Sequence, residues 1–343
     1  MNIDNHVIMA KNKPFVIAEM SNNHLCDLSL ALKMIDKAAE CGADAIKIQT
    51  YSADSLTIDC HKPDFIIKNP LWEGQSYYDL YKKIAMPFEW TEILFSAAKQ
   101  NNLTIFSSPF DEHSVTLLEK FDCPAYKVAS FELQDFSLLK AIAQTGKPVI
   151  VSSGISNFEE IKASIEFLRS QGSGEIAVLH CTSAYPSSYE QMNLAAMNKL
   201  KELNVIVGLS DHSLSNIPAI SSIALGGRII EKHFILDRSL GGPDATFSIE
   251  PDELCSLVQV CQQTWQAQGS ADILEHKNRL GKEHGRSIYV ITDILEGEFF
   301  TEENIRVIRP GFGMSPKHYA KILGKKSNNK LLRGTALSWS DIQ

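Results

Sequence analysis

Short apolar runs that end on polar residues recur along the first 265 positions, each followed by a segment with apolar side chains at helical spacing. The runs read as strands at 14–19 (PFVIAE), 44–50 (DAIKIQT), 103–108 (LTIFSS), 125–130 (AYKVAS), 148–153 (PVIVSS), 176–182 (IAVLHCT), 205–211 (VIVGLSD) and 228–233 (RIIEKH). Between them lie amphipathic helices. In LSLALKMIDKAAECG, Leu28, Leu32, Ile35 and Ala39 share one face and Gly42 supplies a stop. In NFEEIKASIEFLRSQG, Asn157 is the expected cap and Gly172 the terminator. Eight alternations of strand and helix point to a (β/α)8 barrel in preference to an open doubly wound sheet. No GxGxxG opens a helix after the first strand, which counts further against a dinucleotide-binding sheet.

The strand ends carry the chemistry. In such barrels, side chains from different strands converge where each strand meets its following loop. Those positions here are Glu19; Lys47 and Gln49; Ser107 and Ser108; Lys127 and Ser130; Ser152 and Ser153; His180, Thr182 and Ser183; Ser210, Asp211 and His212; and Glu231, Lys232 and His233. Strand alternation puts Lys47 with Gln49 on one face, and Glu231 with His233 on one face with Lys232 opposite. Unpaired charge is costly inside an apolar element, so three consecutive ionisable residues in RIIEKHF mark a barrel mouth.

Composition narrows the partners. The 343 residues carry a formal charge of −8 without long acidic or basic blocks, which argues against nucleic acid and anionic membrane as partners. No run of about 18 apolar residues occurs, and the N-terminal MNIDNHVIMAKNKP lacks a basic segment followed by an apolar core, so a cytoplasmic protein is expected. Seven scattered cysteines without a CxxC pair argue against a disulfide framework or structural zinc, and most read as small core residues.

Two lysines with a set of serines make an anion receptor suited to a phosphorylated small acid. His212 and His233, on neighbouring strands, can bring two imidazoles toward one divalent ion, with Asp244 or Glu231 as an oxygen ligand or supporting partner. Both must be neutral to ligate, so metal affinity is expected to fall in mild acid. Glu19 and Glu132 are candidate proton carriers. A different chemistry stays open: a class I aldolase with Lys47 or Lys127 as Schiff-base amine.

After residue 268 the chain changes character. A polar linker, 269–284, leads to a small domain, 285–343, in which LEGEFFTEENI (295–305) and LRGTALSWSDI (332–342) repeat one pattern. Thr301 and Ser338 are the expected caps of a short helical turn in each copy.

Several motifs together resemble the sialic acid synthase family: PFVIAEMSNNH, GADAIKIQTY, FSSPFDEHSV, PAYKVASFE, GKPVIVSSG, LHCTSAYP, VGLSDHS, EKHFILDRSLGGPDATFSIEP and RPGFG. The insertion LWEGQSYYDLYKKIAMPFEW is most similar to the pseudaminic acid synthase branch. The resemblance implies a TIM barrel catalytic domain (1–268) and a C-terminal antifreeze-like (SAF) domain. It implies a metal-dependent condensation of phosphoenolpyruvate with 2,4-diacetamido-2,4,6-trideoxy-L-altrose, giving pseudaminic acid and phosphate. N-acetylmannosamine or the legionaminic precursor is the alternative sugar. By motif, Lys47 and Lys127 would hold the carboxylate and phosphate of phosphoenolpyruvate, helped by Ser130, Ser152 and Ser210. His212 and His233 would bind Mn²⁺ or Mg²⁺, Glu132 would manage a proton, and Glu19 and Asp244 would orient the sugar. Tyr185 would line the pocket. Ser183 stands where the family usually has Asn, and His24 lacks the usual Asn-Gly after it. Arg309 of RPGFG would reach the sugar's N-acyl group across a domain-swapped homodimer.

Overall fold

In a computed structural model, residues 1–68, 74–269 and 281–343 are described. Residues 71–73 of the branch-specific insertion and 270–280 of the expected linker lie outside them. The chain divides into two compact units, Met1–Gly269 and Ser270–Gln343.

A hairpin of β1 (Asn2–Ile3) and β2 (His6–Val7) precedes eight strands: β3 (Phe15–Glu19), β4 (Ala45–Thr50), β5 (Thr104–Pro109), β6 (Tyr126–Val128), β7 (Val149–Ser152), β8 (Ile176–Cys181), β9 (Ile206–Asp211) and β10 (Ile229–His233). They close in the order β10-β3-β4-β5-β6-β7-β8-β9, so each strand pairs with its predecessor and the last with the first. All the pairings are parallel. Parallel strands need a crossover, and the helices that supply it lay their apolar faces on the barrel. Helix Leu28–Glu40 buries Ala31, Met34, Ile35 and Ala38, and the Asp27 carboxylate accepts from the N–H groups of Ser29 and Leu30. In Phe158–Ser170, Asn157 accepts from the Glu160 N–H at 3.0 Å while the Glu160 carboxylate accepts from the Asn157 N–H at 2.8 Å. This reciprocal pair satisfies two donors that a helix start leaves free.

Register decides which polar strand ends look inward, because neighbouring residues in a parallel ladder share a face. His233 pairs with Glu19 and Glu19 with Lys47. Cys181 pairs with Ser210 and Ser210 with Glu231. The intervening residues turn outward: Lys232 is fully buried and its ammonium donates to the Asp211 carboxylate at 2.5 Å, to Ser213 Oγ and to the Ser215 carbonyl. This ion pair holds the outside of the barrel, and Lys232 has no part in the mouth chemistry.

The cysteine expectation needs one correction. Cys123, Cys181 and Cys261 are buried thiols, but Cys41 and Cys255 form a disulfide with Cα atoms 4.4 Å apart. Cys41 follows helix Leu28–Glu40 and Cys255 lies in helix Pro251–Gln268. Their 214-residue separation hides a contact that exists only once the barrel closes.

The second unit pairs β11 (Ser287–Val290) with β12 (Ile305–Ile308), antiparallel, over a core that includes Ile288, Ile294, Phe300, Ile322 and Leu337. The repeat is structural: Gly297 and Gly334 both adopt positive φ, 80° and 92°. Ile294 and Leu331, which precede the two copies, bridge each other. After Ser338 the chain makes a 3₁₀ turn, Trp339–Asp341, and the Ser338 N–H donates to the Asp341 carboxylate. After Thr301 there is a turn without a helix, in which the Thr301 N–H donates to the Asn304 side chain at 2.7 Å as the Ser338 N–H does to Asp341. Arg309 follows β12, exposed, with no ion-pair partner among the described residues.

Candidate active site

The inward strand ends and the loops after them enclose a cavity of about 220 Å³. Among its lining residues are Glu19, Lys47, Lys127, Ser130, Glu132 and Ser152 from the first five strand-loop junctions, and Tyr185, Ser210, His212, His233 and Asp244 from the last three. Ser183 stands behind this wall: its hydroxyl lies 2.9 Å from that of Ser130. Room for the pair comes from Gly154, at φ +39°, where a Cβ would sit 2.0 Å from Ser130 Cβ. Arg309 belongs to the other unit. His24 is buried off the cavity, where its Nδ1 accepts from the Cys26 N–H at 3.0 Å and its ring meets Trp90 edge-on. It shapes the loop after β3.

Four ionisable groups form the floor. Lys47 Nζ lies 2.7 Å from Glu19 Oε2 and 3.9 Å from Glu231 Oε2, and donates to Ser108 Oγ at 3.0 Å. Lys127 Nζ lies 3.8 Å from Glu231 Oε1 and donates to Ser152 Oγ at 2.7 Å and to the Val128 carbonyl at 3.1 Å. Glu231 therefore sits between two ammonium groups and also accepts from the Ser210 hydroxyl at 3.1 Å. Burial pushes the Glu231 carboxyl up, but Lys127 and Lys47 together outweigh it and hold it below the usual carboxylate range. Burial likewise raises Glu19, against the pull of Lys47. The Lys127 ammonium is lowered by burial, with Glu231 opposing. An arriving anion thus meets two desolvated cations that already have hydroxyl partners, which is preorganisation.

Glu132 stands apart from this cluster. Burial pushes its pKa up to about 7 against the pull of Lys127, and its Oε2 has no hydrogen-bond partner. A carboxyl that exchanges its proton near neutrality suits acid–base work.

Beside this cluster, at the ends of β9 and β10, the rings of His212 and His233 lie 5.3 Å apart. His212 Nδ1 is 3.0 Å from the Thr182 carbonyl, which can only accept, so Nδ1 carries the proton and Nε2 keeps its lone pair. His233 Nδ1 is buried without a hydrogen-bond partner and lies 3.8 Å from Asp244 Oδ2. Burial, then the neighbouring His233, brings His212 down to about 4, and burial lowers His233 despite Asp244. Two neutral imidazoles with a carboxylate close by fit a divalent cation. Among the described residues no cluster of three His, Cys, Asp or Glu side chains is arranged to hold a metal, so any metal here would be held by this open pair and not by a closed cage. Were this pair to hold a metal, the loss of affinity in acid would be expected at lower pH than for ordinary histidines, because burial lowers His212 to about 4 and lowers His233 as well.

Some lining residues were not assigned site roles from the sequence. Gln49 donates to Glu19 Oε1 at 2.9 Å and to Ser21 Oγ at 3.0 Å, and the Ser21 hydroxyl donates to Asp244 Oδ2 at 2.6 Å, a chain that ties the lysine floor to the histidine side. Tyr51, Tyr81 and Phe110 form an aromatic wall. Tyr51 continues the alternation of Lys47 and Gln49, a signal that was present. Tyr81 and Phe110 lie on a helix and a loop, where strand alternation is silent.

Comparison with known proteins adds to the geometry. Residues 34–272 match the model of the NeuB family and residues 285–343 that of the SAF domain. The chain is 44% identical to the pseudaminic acid synthase of Campylobacter jejuni over 96% of its length and 97% of the relative's. It is 33% identical to the N,N'-diacetyllegionaminic acid synthase of Legionella pneumophila over 96% and 94%. The crystal structure of the N-acetylneuraminic acid (sialic acid) synthetase of Leptospira borgpetersenii, in complex with citrate, is 30% identical and aligns with a TM-score of 0.73 over 83% of this chain and 94% of that one. Fold and sequence agree, and the chain belongs to the NeuB family.

Proposed function

We propose that the chain is a pseudaminic acid synthase that joins phosphoenolpyruvate to 2,4-diacetamido-2,4,6-trideoxy-L-altrose. C3 of phosphoenolpyruvate bonds to the aldehyde carbon, whose oxygen takes a proton and becomes a hydroxyl. Water adds at C2, the C2–O bond breaks, and phosphate leaves with the nine-carbon 2-keto acid. One observation carries the reading: Lys47, Lys127, His212 and His233 line one cavity, and the two imidazole rings lie 5.3 Å apart in it.

In this reading the two ammonium groups hold the carboxylate and phosphate, and Ser108 and Ser152 fix the ammonium positions. Ser130, backed by Ser183, donates to the phosphate oxygens, while Ser210, whose hydroxyl donates to Glu231, lines the same pocket. Glu132 takes the proton of the water that adds at C2. Glu19, Asp244 and Tyr185 orient the sugar chain. His212 and His233 would hold Mn²⁺ or Mg²⁺, which supplies positive charge to stabilise the aldehyde oxygen as it turns anionic. The reaction takes place in the cytoplasm, in a homodimer in which the SAF domain of one protomer covers the barrel of the other and Arg309 meets the N-acyl group. A guanidinium that is exposed and has no ion-pair partner among the described residues, together with the SAF match, supports that part.

Phosphate release from phosphoenolpyruvate, assayed with the diacetamido sugar, the legionaminic precursor and N-acetylmannosamine, tests the reading. The first is expected to give the highest kcat/KM, and a higher value for either other sugar rejects the assignment. The role of Glu132 has its own signature. As a base it is ionised above its pKa, so kcat/KM rises with pH through about 7. Glu132→Gln is expected to remove that limb and lower kcat by about 10²–10⁴-fold. A profile that keeps the limb in the variant gives the proton to another group.

A further inference from the structure

A second depression, of about 330 Å³, adjoins the reaction cavity. Its walls come from three parts of the barrel unit: Leu25 in the loop after β3, Leu80 and Ile84 on helix Tyr77–Ile84, and Pro243 just before Asp244, with Cys26, Gln75 and Lys83 as the polar members of the lining. Asn22 lines both spaces. Its Oδ1 accepts from the Tyr51 hydroxyl at 2.9 Å, while among the described residues nothing accepts from its amide nitrogen. Its two amide N–H groups therefore have no acceptor among the described residues at the boundary between a polar chamber and a largely aliphatic one.

The backbone is arranged to form these walls. Leu25 has φ +48°, with Ser21 at +46° and Cys26 at +56° in the same loop, a conformation that non-glycine residues adopt at a cost. Leu25 closes against Gly242, where a Cβ would meet Leu25 Cδ2 at 2.6 Å, so the two loops approach this closely only with glycine there.

The geometry points to a subsite for the distal half of the sugar, carbons 4 to 6, with Asn22, Leu25 and Ile84 as the residues that select it. This rests on the proposed function. The aldehyde end must stay by the lysines and histidines, so an open sugar chain projects its far end away from them. The far end of the proposed sugar carries a C4 acetamido group and a C6 methyl, where N-acetylmannosamine has hydroxyls. Aliphatic walls favour the methyl groups, and the free Asn22 N–H matches the acetamido carbonyl. A hydroxylated sugar would place its unpaired polar groups against Leu25, Leu80 and Ile84, which disfavours binding.

Two variants test it by steady-state kinetics with the diacetamido sugar. Leu25→Asn removes the aliphatic wall, and asparagine tolerates the left-handed backbone that this position requires. Ile84→Trp fills the depression. Each is expected to raise KM for the sugar about tenfold, the scale of losing a hydrophobic contact in a substrate pocket, with KM for phosphoenolpyruvate unchanged as evidence of an intact floor. Wild-type turnover with sugar KM unaltered in both variants overturns the subsite alone. An equal rise in KM for phosphoenolpyruvate does the same. A wild-type protein that releases no phosphate with this sugar overturns the proposed function, and the subsite with it.

Discussion

Replacing His212 or His233 by alanine is expected to lower kcat by about 10²–10³-fold, the loss seen when a group that stabilises developing charge is removed. The fold should survive. His212 is buried, His233 is mostly buried with 12% of its side chain exposed, and burial favours the neutral form of both, so truncation strands no charge and unfolding in urea should show a loss of about 1–3 kcal/mol. Direct titration of the folded variants with Mn²⁺ separates ligation from packing, and each should bind far more weakly than the parent. In the parent, burial keeps His212 unprotonated until the pH approaches about 4, so Mn²⁺ binding should hold through the usual histidine range and fall only below it. The sign follows from protonation: a charged imidazole has no lone pair for a metal. Near-parental turnover in either variant removes the metal assignment.

Replacing Lys127 by methionine is expected to reduce kcat/KM for phosphoenolpyruvate by about 10³-fold or more, because the side chain fills the same space without its charge. Stability is a sharper question. Burial disfavours the Lys127 ammonium, which the variant relieves, but Glu231 loses one of two cations and keeps only Lys47, 3.9 Å away. Breaking a buried pair costs about 3–5 kcal/mol when it strands a charge, and the second lysine should keep the loss below that range. The same lysine separates synthase from aldolase. A Schiff-base enzyme would be labelled by pyruvate and borohydride at Lys127 or Lys47, and no labelling is expected here. Covalent labelling with loss of metal dependence would establish the aldolase chemistry.

The barrel was legible because its strands are short apolar runs with polar ends, and each helix repeats its apolar positions at helical spacing. Strand limits moved by a residue or two, most at β6, where the run 125–130 shortens to Tyr126–Val128 and Ser130 begins a 3₁₀ turn. At the mouth, the sequence offered nearly twice as many polar strand ends as the cavity uses. Ser107 turns outward to Thr50, and His180 turns outward to the Met192 carbonyl. Lys232 turns outward to Asp211.

Alternation alone separates Lys47 from its neighbours and Glu231 from Lys232, since backbone geometry fixes side-chain direction along a strand. Those facts belong to the sequence. It also determined the family and the residue types that can carry a phosphorylated acid. Tertiary structure decided which groups face one another. The position of Glu231 between two lysines, the pairing of Cys41 with Cys255, and the shared wall at Asn22 join residues that are remote along the chain. Such contacts follow from ring closure and register, and no local pattern encodes them. Even the proton affinities of Glu132 and His212 were set there, because desolvation depends on what the folded barrel packs around a group.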